Sequence, residues 1–353
     1  MVVSFHVENW RCIKNLDIEL ANVNIFLGKN SSGKSSLAHA AYLLAKAPSV
    51  RDVAQLVRDL YRLDIAQVVR IENGIPQYPL ILEARSGSQR VELKIEASKV
   101  DVSGGLWTFS YILPSQRVAY LKLSQSLLTQ IVKSPRIESE AEASRTGFEV
   151  AAKLLMQLFA MGVVAEGPAL KLFFNDLISA ISGHEYLGPK PLELESVGTI
   201  FVEVFPLIPL IVYKYRDPFD KSIELPLPVT PDGIADTELI KRFVSGAVQG
   251  SLVVVEEPEN FKHPLLLVEL VRDIIGEALK KNLTLLFTTH NDLILHVIGR
   301  VVEEGVLKPS QVAVYYLERT REIPWTTARK IQVYEDGTFS EIPHVEEVLS
   351  HVF

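Results

Sequence analysis

Apolar and polar residues alternate along Val2–Val7 and again along Leu16–Leu20, while Asn22–Leu27 sets Val23, Ile25 and Leu27 on one side. Each spacing predicts a strand, because successive side chains of an extended chain point to opposite faces. A glycine-bearing loop follows at once, then a helix from Lys34 to Ala47 that Pro48 stops. Arg51–Arg70 keeps helical spacing and sets Arg51, Arg58 and Arg62 near one face, either a solvated face or a contact for DNA or a partner. Asn73-Gly74 with Pro76 marks a turn. Pro79–Arg85 and Gln89–Ile95 predict a hairpin around Ser86-Gly87-Ser88, and Leu106–Leu113 predicts a strand ending at Pro114.

From Ala119 to Ser182 the pattern turns helical, with a polar patch at Ser134–Thr146 and no heptad run long enough for an extended coiled coil. Strands return at Gly198–Val204 and Leu210–Tyr215. The rest alternates strand and helix: Ser251–Val255, Pro264–Leu279, Leu283–Thr289, Asp292–Glu304 and Gln311–Leu317. Lys330–Tyr334 and Thr338–Glu341 predict a closing hairpin over Asp336-Gly337. The expectation is an α/β fold with a mixed sheet core, antiparallel strands at the N-terminus and a helical insertion. Residues 1–118 and 183–353 would form one discontinuous domain, with 119–182 inserted as a lid or partner subdomain.

Composition narrows the class. Hydrophobic residues are 48% and charged residues 22% of 353, so a sizeable core can be buried and disorder is excluded. A net charge of −7 argues against a surface that coats polyanions generally, while leaving room for a local basic patch. The single cysteine, Cys12, excludes an internal disulfide and a cysteine-based zinc site. The N-terminus has no basic segment followed by an apolar one, and no apolar run reaches the ~20 residues a bilayer requires. A cytoplasmic location with no membrane contact is the expectation.

Gly28-Lys29-Asn30-Ser31-Ser32-Gly33-Lys34-Ser35 fits G-x-x-x-x-G-K-[ST], with an apolar strand before it and a helix after it. Glycines let such a loop fold around phosphates, and the backbone N–H groups from Asn30 to Ser35 can turn toward phosphate oxygens. The helix start adds the positive end of its dipole. Lys34 is expected on the β- and γ-phosphates of ATP, and the Ser35 hydroxyl on Mg²⁺. Leu252-Val253-Val254-Val255-Glu256-Glu257-Pro258-Glu259 is an apolar strand that ends in carboxylates. Alone it reads equally as a solvated loop. Beside a P-loop, one carboxylate can join the magnesium shell and the next can orient or deprotonate the attacking water. Leu285-Leu286-Phe287-Thr288-Thr289-His290 is a similar strand, and His290 can contact the γ-phosphate or the water.

These motifs, with the opening Val7-Glu8-Asn9-Trp10-Arg11-Cys12-Ile13-Lys14-Asn15 and with His263-Pro264 behind the acidic strand, resemble the RecF/SMC/OLD group of ABC-type ATPase heads. The resemblance implies a P-loop NTPase fold of ABC/SMC-head type. It implies that Glu256 organises magnesium in a position usually held by aspartate, that Glu257 is the catalytic glutamate, and that His290 senses the γ-phosphate. Arg11 and Ser36 join Gly28, Asn30, Ser31, Ser32, Gly33, Lys34 and Ser35 as nucleotide contacts. Heads of this group close as dimers around two ATP molecules, each offering a signature loop to the other. Here that loop falls in Thr230-Pro231-Asp232-Gly233, before a helix over Ala235–Val244, with Asp232 and Gly233 facing the partner's ATP. Pro231 stands where a serine hydroxyl is usual, and a plain turn before a helix is the competing reading. A glutamine at a strand end in the first lobe links magnesium to lobe motion in the group. Gln116 fills that place, with Arg117 as a phosphate or partner contact instead.

The expected function is an ATP-hydrolysing, homodimerising head that acts in DNA repair, maintenance or defence with a DNA, nuclease or protein partner. The alternative is a nucleotide-dependent assembly protein that hydrolyses little. Glu318, Glu322, Glu335 and Asp336 form no D-x-D pattern, so no nuclease activity is expected of this chain. An N-K-x-D guanine motif is missing, which disfavours a GTPase.

Overall fold

Val23, Ile25 and Leu27 pack on one face of their strand and Phe26 on the other, so this segment is buried on both sides. That is the pattern of a central strand in a sheet covered on both faces. The computed structural model describes residues 2–119, 122, 172, 176, 192–194, 198–204, 211–216, 220, 224–226 and 229–343. In chain order it opens with β1 (Val3–Trp10), β2 (Ile13–Leu20) and β3 (Val23–Leu27), then α1 (Lys34–Lys46), α2 (Val53–Tyr61) and α3 (Ile65–Val68). Short strands β4 (Ile71–Glu72) and β5 (Ile75–Pro76) precede β6 (Leu80–Ser86), β7 (Gln89–Ile95), β8 (Val100–Gly104) and β9 (Ser110–Leu113). Strands β10 (Leu192–Leu194), β11 (Gly198–Val204), β12 (Ile211–Arg216) and β13 (Glu224–Pro226) follow. The chain continues with α4 (Asp232–Gly246), β14 (Leu252–Glu256), α5 (Pro264–Lys280), β15 (Thr284–Thr289), α6 (Leu293–Glu303), β16 (Val312–Glu318) and β17 (Thr327–Ile331).

Six strands form the central sheet in the order β17-β16-β3-β15-β14-β9. All but β17 run parallel, with Glu256 opposite Thr288 and Thr289 opposite Leu27. The ends of β3, β15 and β14 therefore reach one edge side by side, where ligands bind in open α/β sheets. Helices α4, α5 and α6 share one core with the Val253, Val255, Leu285 and Phe287 face. On the opposite face, Val254 and Leu286 share a second core with α1 and the antiparallel sheet β2-β1-β6-β7-β8. A fully buried Phe243 on α4 or Leu43 on α1 contributes roughly 1.5–3 kcal/mol relative to exposure.

Among the described residues, strands β10 to β13 pair with one another in an antiparallel sheet of their own. The helical insertion expected over 119–182 lies almost wholly outside the described residues. Leu172 and Asp176 are described, helical and buried. The strand expected over Leu106–Leu113 is shorter, because Trp107 leaves the strand line to donate from Nε1 to Thr284 Oγ1 at 3.0 Å. The closing hairpin over Asp336-Gly337 is present but short: Val333 bridges Phe339, the Tyr334 amide donates to the Thr338 carbonyl and the Ser340 amide to the Gln332 carbonyl, each at 2.9 Å. Before it, Thr327–Ile331 pairs with β16 as a further strand. The Arg51–Arg70 helix breaks at Arg62, whose φ of 56° is left-handed. Arg58 leans on Asp52 and Asp64, each at 3.7 Å.

Candidate nucleotide site

The loop after β3 is shaped by left-handed backbone at Gly28, Ser31 and Gly33, with φ of 149°, 64° and 104°. A Cβ on Gly28 would meet the Leu317 carbonyl oxygen at 2.3 Å, and one on Gly33 would meet Thr326 Oγ1 at 2.2 Å. Both positions thus need glycine for close approach as well as for φ. Thr326 Oγ1 donates to the Ser32 carbonyl at 3.0 Å, so the β16–β17 connection braces the loop from outside. Lys34 curls back and donates from Nζ to the carbonyls of Gly28 (2.7 Å) and Lys29 (2.9 Å). Burial lowers its pKa, while the charges of Glu257 and Glu259 pull the other way. Asn30, Ser31 and Ser35 are exposed, and Ser36 is half-buried with its carbonyl accepting from Trp10 Nε1 at 2.7 Å.

At the end of β14 the two glutamates part. Glu256 stays in the strand, 7% exposed, and accepts a hydrogen bond from the Ser35 hydroxyl. Burial opposes its ionisation, yet His39, Ser35 and the Ser115 backbone amide together hold its carboxyl below the usual range. Glu257 turns out of the strand with a left-handed φ of 45°. A non-glycine residue held there stores strain, a feature that concentrates at functional sites. Its amide donates to the Thr288 carbonyl at 2.8 Å, and Asn260 Nδ2 donates to its Oε2 at 2.9 Å. His290 Nδ1 lies 4.0 Å from Glu257 Oε1 and 3.6 Å from Glu259 Oε1. Glu259 is buried, and its Oε1 accepts from Thr289 Oγ1 at 2.6 Å.

Arg11 is at the β1–β2 turn with φ 49°, its guanidinium carbon 4.3 Å from the centre of the Tyr61 ring. Gln116 is exposed in the turn after β9. That strand belongs to the central sheet, beside β14. Arg117 is fully buried against Asp236 and the carbonyls of Glu256 and Glu257, which removes it as a phosphate or partner contact. Asp232 and Gly233 form the first turn of α4, which begins three residues before the expected Ala235. Lys122 pairs with Asp232. A Cβ on Gly233 would sit 2.4 Å from the Phe261 carbonyl oxygen, so this glycine permits a close approach within its own chain. A 650 Å³ groove lined by Phe5, His6, Ile18, Tyr315 and Lys330 lies away from all these residues and carries none of the motif chemistry.

A family model described as "AAA domain, putative AbiEii toxin, Type IV TA system" matches residues 23–296, well over half of the chain. The chain belongs to this AAA-domain family. The RecF DNA replication and repair protein of Lactobacillus acidophilus is 46% identical over 59 residues, which are 16% of this chain and 15% of that protein. The match thus spans only a small part of that relative. The fold resembles an SMC head solved with the C-terminal winged-helix domain of ScpA, at 10% identity and a TM-score of 0.51, covering 94% of this chain and 98% of the other. The Thermotoga maritima SMC head gives 12% identity and a TM-score of 0.45, covering 94% and 99%. The AAA-domain member described here therefore has the P-loop ATPase fold of SMC-type heads, with a mixed sheet core and antiparallel N-terminal strands.

Three features of this AAA-domain site were not singled out from sequence. His39 sets Nε2 3.2 Å from Glu256 Oε1, Tyr61 sets its hydroxyl 2.8 Å from His39 Nδ1, and Glu259 joins Thr289 to His290. His39 follows Ser35 by four residues, which puts both on one helix face, and that spacing was available as a signal. The donor set suits magnesium with a triphosphate. Among the described residues no three His, Cys, Asp or Glu side chains cluster as a metal cage. Magnesium ordinarily takes one or two protein groups plus substrate phosphates, and Ser35 with Glu256 offers that pair. Ser32 Oγ and Glu259 Oε2 are buried at the same edge without hydrogen-bond partners among the described residues. No helix among the described residues is long and apolar enough to cross a membrane.

Proposed function

We propose that this chain binds ATP with magnesium on the Gly28–Ser35 loop, hydrolyses it, and closes with a second copy around two ATP molecules. The observation that carries the reading is the meeting of Lys34, Glu256, Glu257 and His290 at one sheet edge, from three adjacent parallel strands. Backbone N–H groups of the loop and the Lys34 ammonium hold the phosphates, leaving the carbonyls of Gly28 and Lys29 that Lys34 otherwise contacts. Ser35 and Glu256 would hold magnesium, with Gln116 as the third candidate group for the ion. When bound, the ion neutralises charge on the β- and γ-phosphates. Glu257, steadied by Asn260, accepts the proton of the attacking water. The water oxygen bonds to the γ-phosphorus as the bond to the β-bridging oxygen breaks, giving ADP and phosphate. His290, 51% exposed at its side chain, contacts the γ-phosphate side. Arg11, Ser31, Ser32 and Ser36 complete the nucleotide contacts.

Asp232 and Gly233 at the start of α4 face the ATP held by the partner copy. Residues 1–118 and 183–353 form the head, and 119–182 form the inserted partner subdomain. The RecF relative's name, a DNA replication and repair protein, supports a role in DNA repair or maintenance. A role in defence, a DNA, nuclease or protein partner and a cytoplasmic location belong to the same proposal. One observation favours the second reading, an assembly protein that hydrolyses little. Pro231 caps α4 without a side-chain hydrogen bond, and Gly233 is packed on its own Phe261. ATP turnover and particle mass, measured for wild type beside Glu257→Gln, decide between them. Turnover that Glu257→Gln abolishes, with an ATP-bound dimer accumulating, supports the first reading. Wild-type binding without turnover supports the second.

A further inference from the structure

Helix α1 carries Ser35 and, one turn on, His39, so both side chains lie over the end of β14. His39 is 4% exposed. Its Nε2 stands 3.2 Å from Glu256 Oε1, and this nitrogen has no aligned hydrogen-bond partner among the described residues. On the other side of the ring, Nδ1 lies 2.8 Å from the Tyr61 hydroxyl, and the two rings are 5.2 Å apart at 50°. Burial keeps the Tyr61 phenol neutral, so it can donate to Nδ1. That tautomer leaves the imidazole N–H at Nε2, facing the carboxylate. Tyr61 is fixed in turn by the Arg11 guanidinium over its ring and by Trp10, whose ring centre is 5.8 Å away.

We propose that His39, oriented by Tyr61, is a positioning residue that holds one oxygen of Glu256 so that the other is presented to the magnesium of bound ATP. The inference rests on the nucleotide-site reading above. Its physical need comes from the glutamate. One more methylene than aspartate adds a rotatable bond, and an unanchored carboxylate would lose part of its metal affinity to side-chain freedom. A partner on the far oxygen removes that freedom, as groups behind metal ligands do, where their loss costs about 10–100-fold in affinity.

The test measures binding of a fluorescent ATP analogue against magnesium concentration, and again in EDTA. For His39→Ala the magnesium midpoint should rise about tenfold while affinity in EDTA stays at the wild-type value. His39→Gln, whose side-chain N–H₂ reaches the same place, should return the midpoint to within about threefold of wild type. Tyr61→Phe removes the hydroxyl that orients His39 and that Arg11 also bonds; it should raise the magnesium midpoint by about threefold beyond any change seen in EDTA, where loss of the Arg11 contact would show. It decides the matter if His39→Ala fails to fold. Wild-type midpoints in both His39→Ala and Tyr61→Phe overturn the proposal, as does an equal loss in magnesium and in EDTA. A wild-type protein whose nucleotide binding ignores magnesium overturns the site reading itself, which is a different result.

Discussion

The Arg117 guanidinium and the Asp236 carboxylate form a fully buried ion pair, with Nε 2.6 Å from Oδ1. The same guanidinium donates to the Glu256 carbonyl, and Lys262 also reaches Asp236. Burial brings the Lys262 ammonium down to about 8, with Asp236 resisting and Arg117 adding to the fall. The cluster ties the turn after β9, the start of α4 and the loop after β14 into one unit behind Glu257.

Removing Arg117 leaves Asp236 short of its main partner in a dry interior. Breaking a buried pair from one side is strongly destabilising, so Arg117→Ala should lose about 3–5 kcal/mol in denaturant unfolding. Arg117→Lys keeps the charge but loses the planar fork that serves a carboxylate and two carbonyls, and should fall between. An Arg117→Ala protein as stable as wild type would show that the pair contributes no net stability.

Gly233 meets Phe261 where no side chain fits. Gly233→Ala would drive a Cβ to 2.4 Å from the Phe261 carbonyl, so either α4 or the loop after Glu257 must shift. The expected cost is about 1–3 kcal/mol, in the range of overpacked sites. If Gly233 acts only inside its own chain, stability falls and ATP-induced dimerisation follows stability alone. Dimerisation lost at temperatures where the variant is fully folded would assign the helix start to the partner's ATP.

Lys34 needs a phosphate to leave its present hydrogen bonds. Lys34→Met keeps most of the aliphatic stem and removes the charge. Nucleotide affinity should fall by about 10–100-fold, the effect of one charged hydrogen bond. Thermal unfolding without nucleotide should move little, since only the two carbonyl contacts are lost. Unchanged affinity by calorimetry would remove Lys34 from the site.

Much of this was legible because both-sided burial leaves a simple trace. The apolar runs at Val23–Leu27, Leu252–Glu256 and Thr284–Thr289 are strands of the central sheet, and their polar ends meet at one edge. What the pattern hid has physical reasons. Val100–Gly104 is an edge strand whose residues are exposed or half-buried, so no alternation marks it. Thr327–Ile331 is mostly exposed as well, so no alternation marks its pairing with β16. The His39–Glu256 contact joins residues far apart in sequence, and only the packing of α1 against β14 brings them together. Arg117 reads from sequence as an available cation, since a fully buried arginine is rare and its partner Asp236 gives no local signal.

Asp176 supplies a pH-dependent tie between the segment that follows residue 119 and the P-loop helix. Its carboxylate meets Lys46 Nζ at 2.6 Å, the Tyr42 hydroxyl at 2.9 Å and the Ile112 amide at 3.1 Å. Tyr42 and Lys46 are one turn apart on α1. Burial raises the Asp176 pKa from 3.8 to about 6, with Lys46 and Tyr42 resisting the rise. An acid raised this way binds its proton more tightly when folded than when unfolded. Its contribution is therefore fully present below 3.8 and is lost as pH rises through about 6. Asp176→Asn cannot take up that proton. The stability difference between wild type and Asp176→Asn should move in favour of wild type by up to about 3 kcal/mol as pH falls from roughly 7 to roughly 4, other groups cancelling between the two proteins. Denaturant midpoints across that range measure it. A difference that stays flat over that range would mean that Lys46 keeps the carboxylate ionised in the fold, and that the tie between α1 and Asp176 is an ion pair from about pH 4 upward.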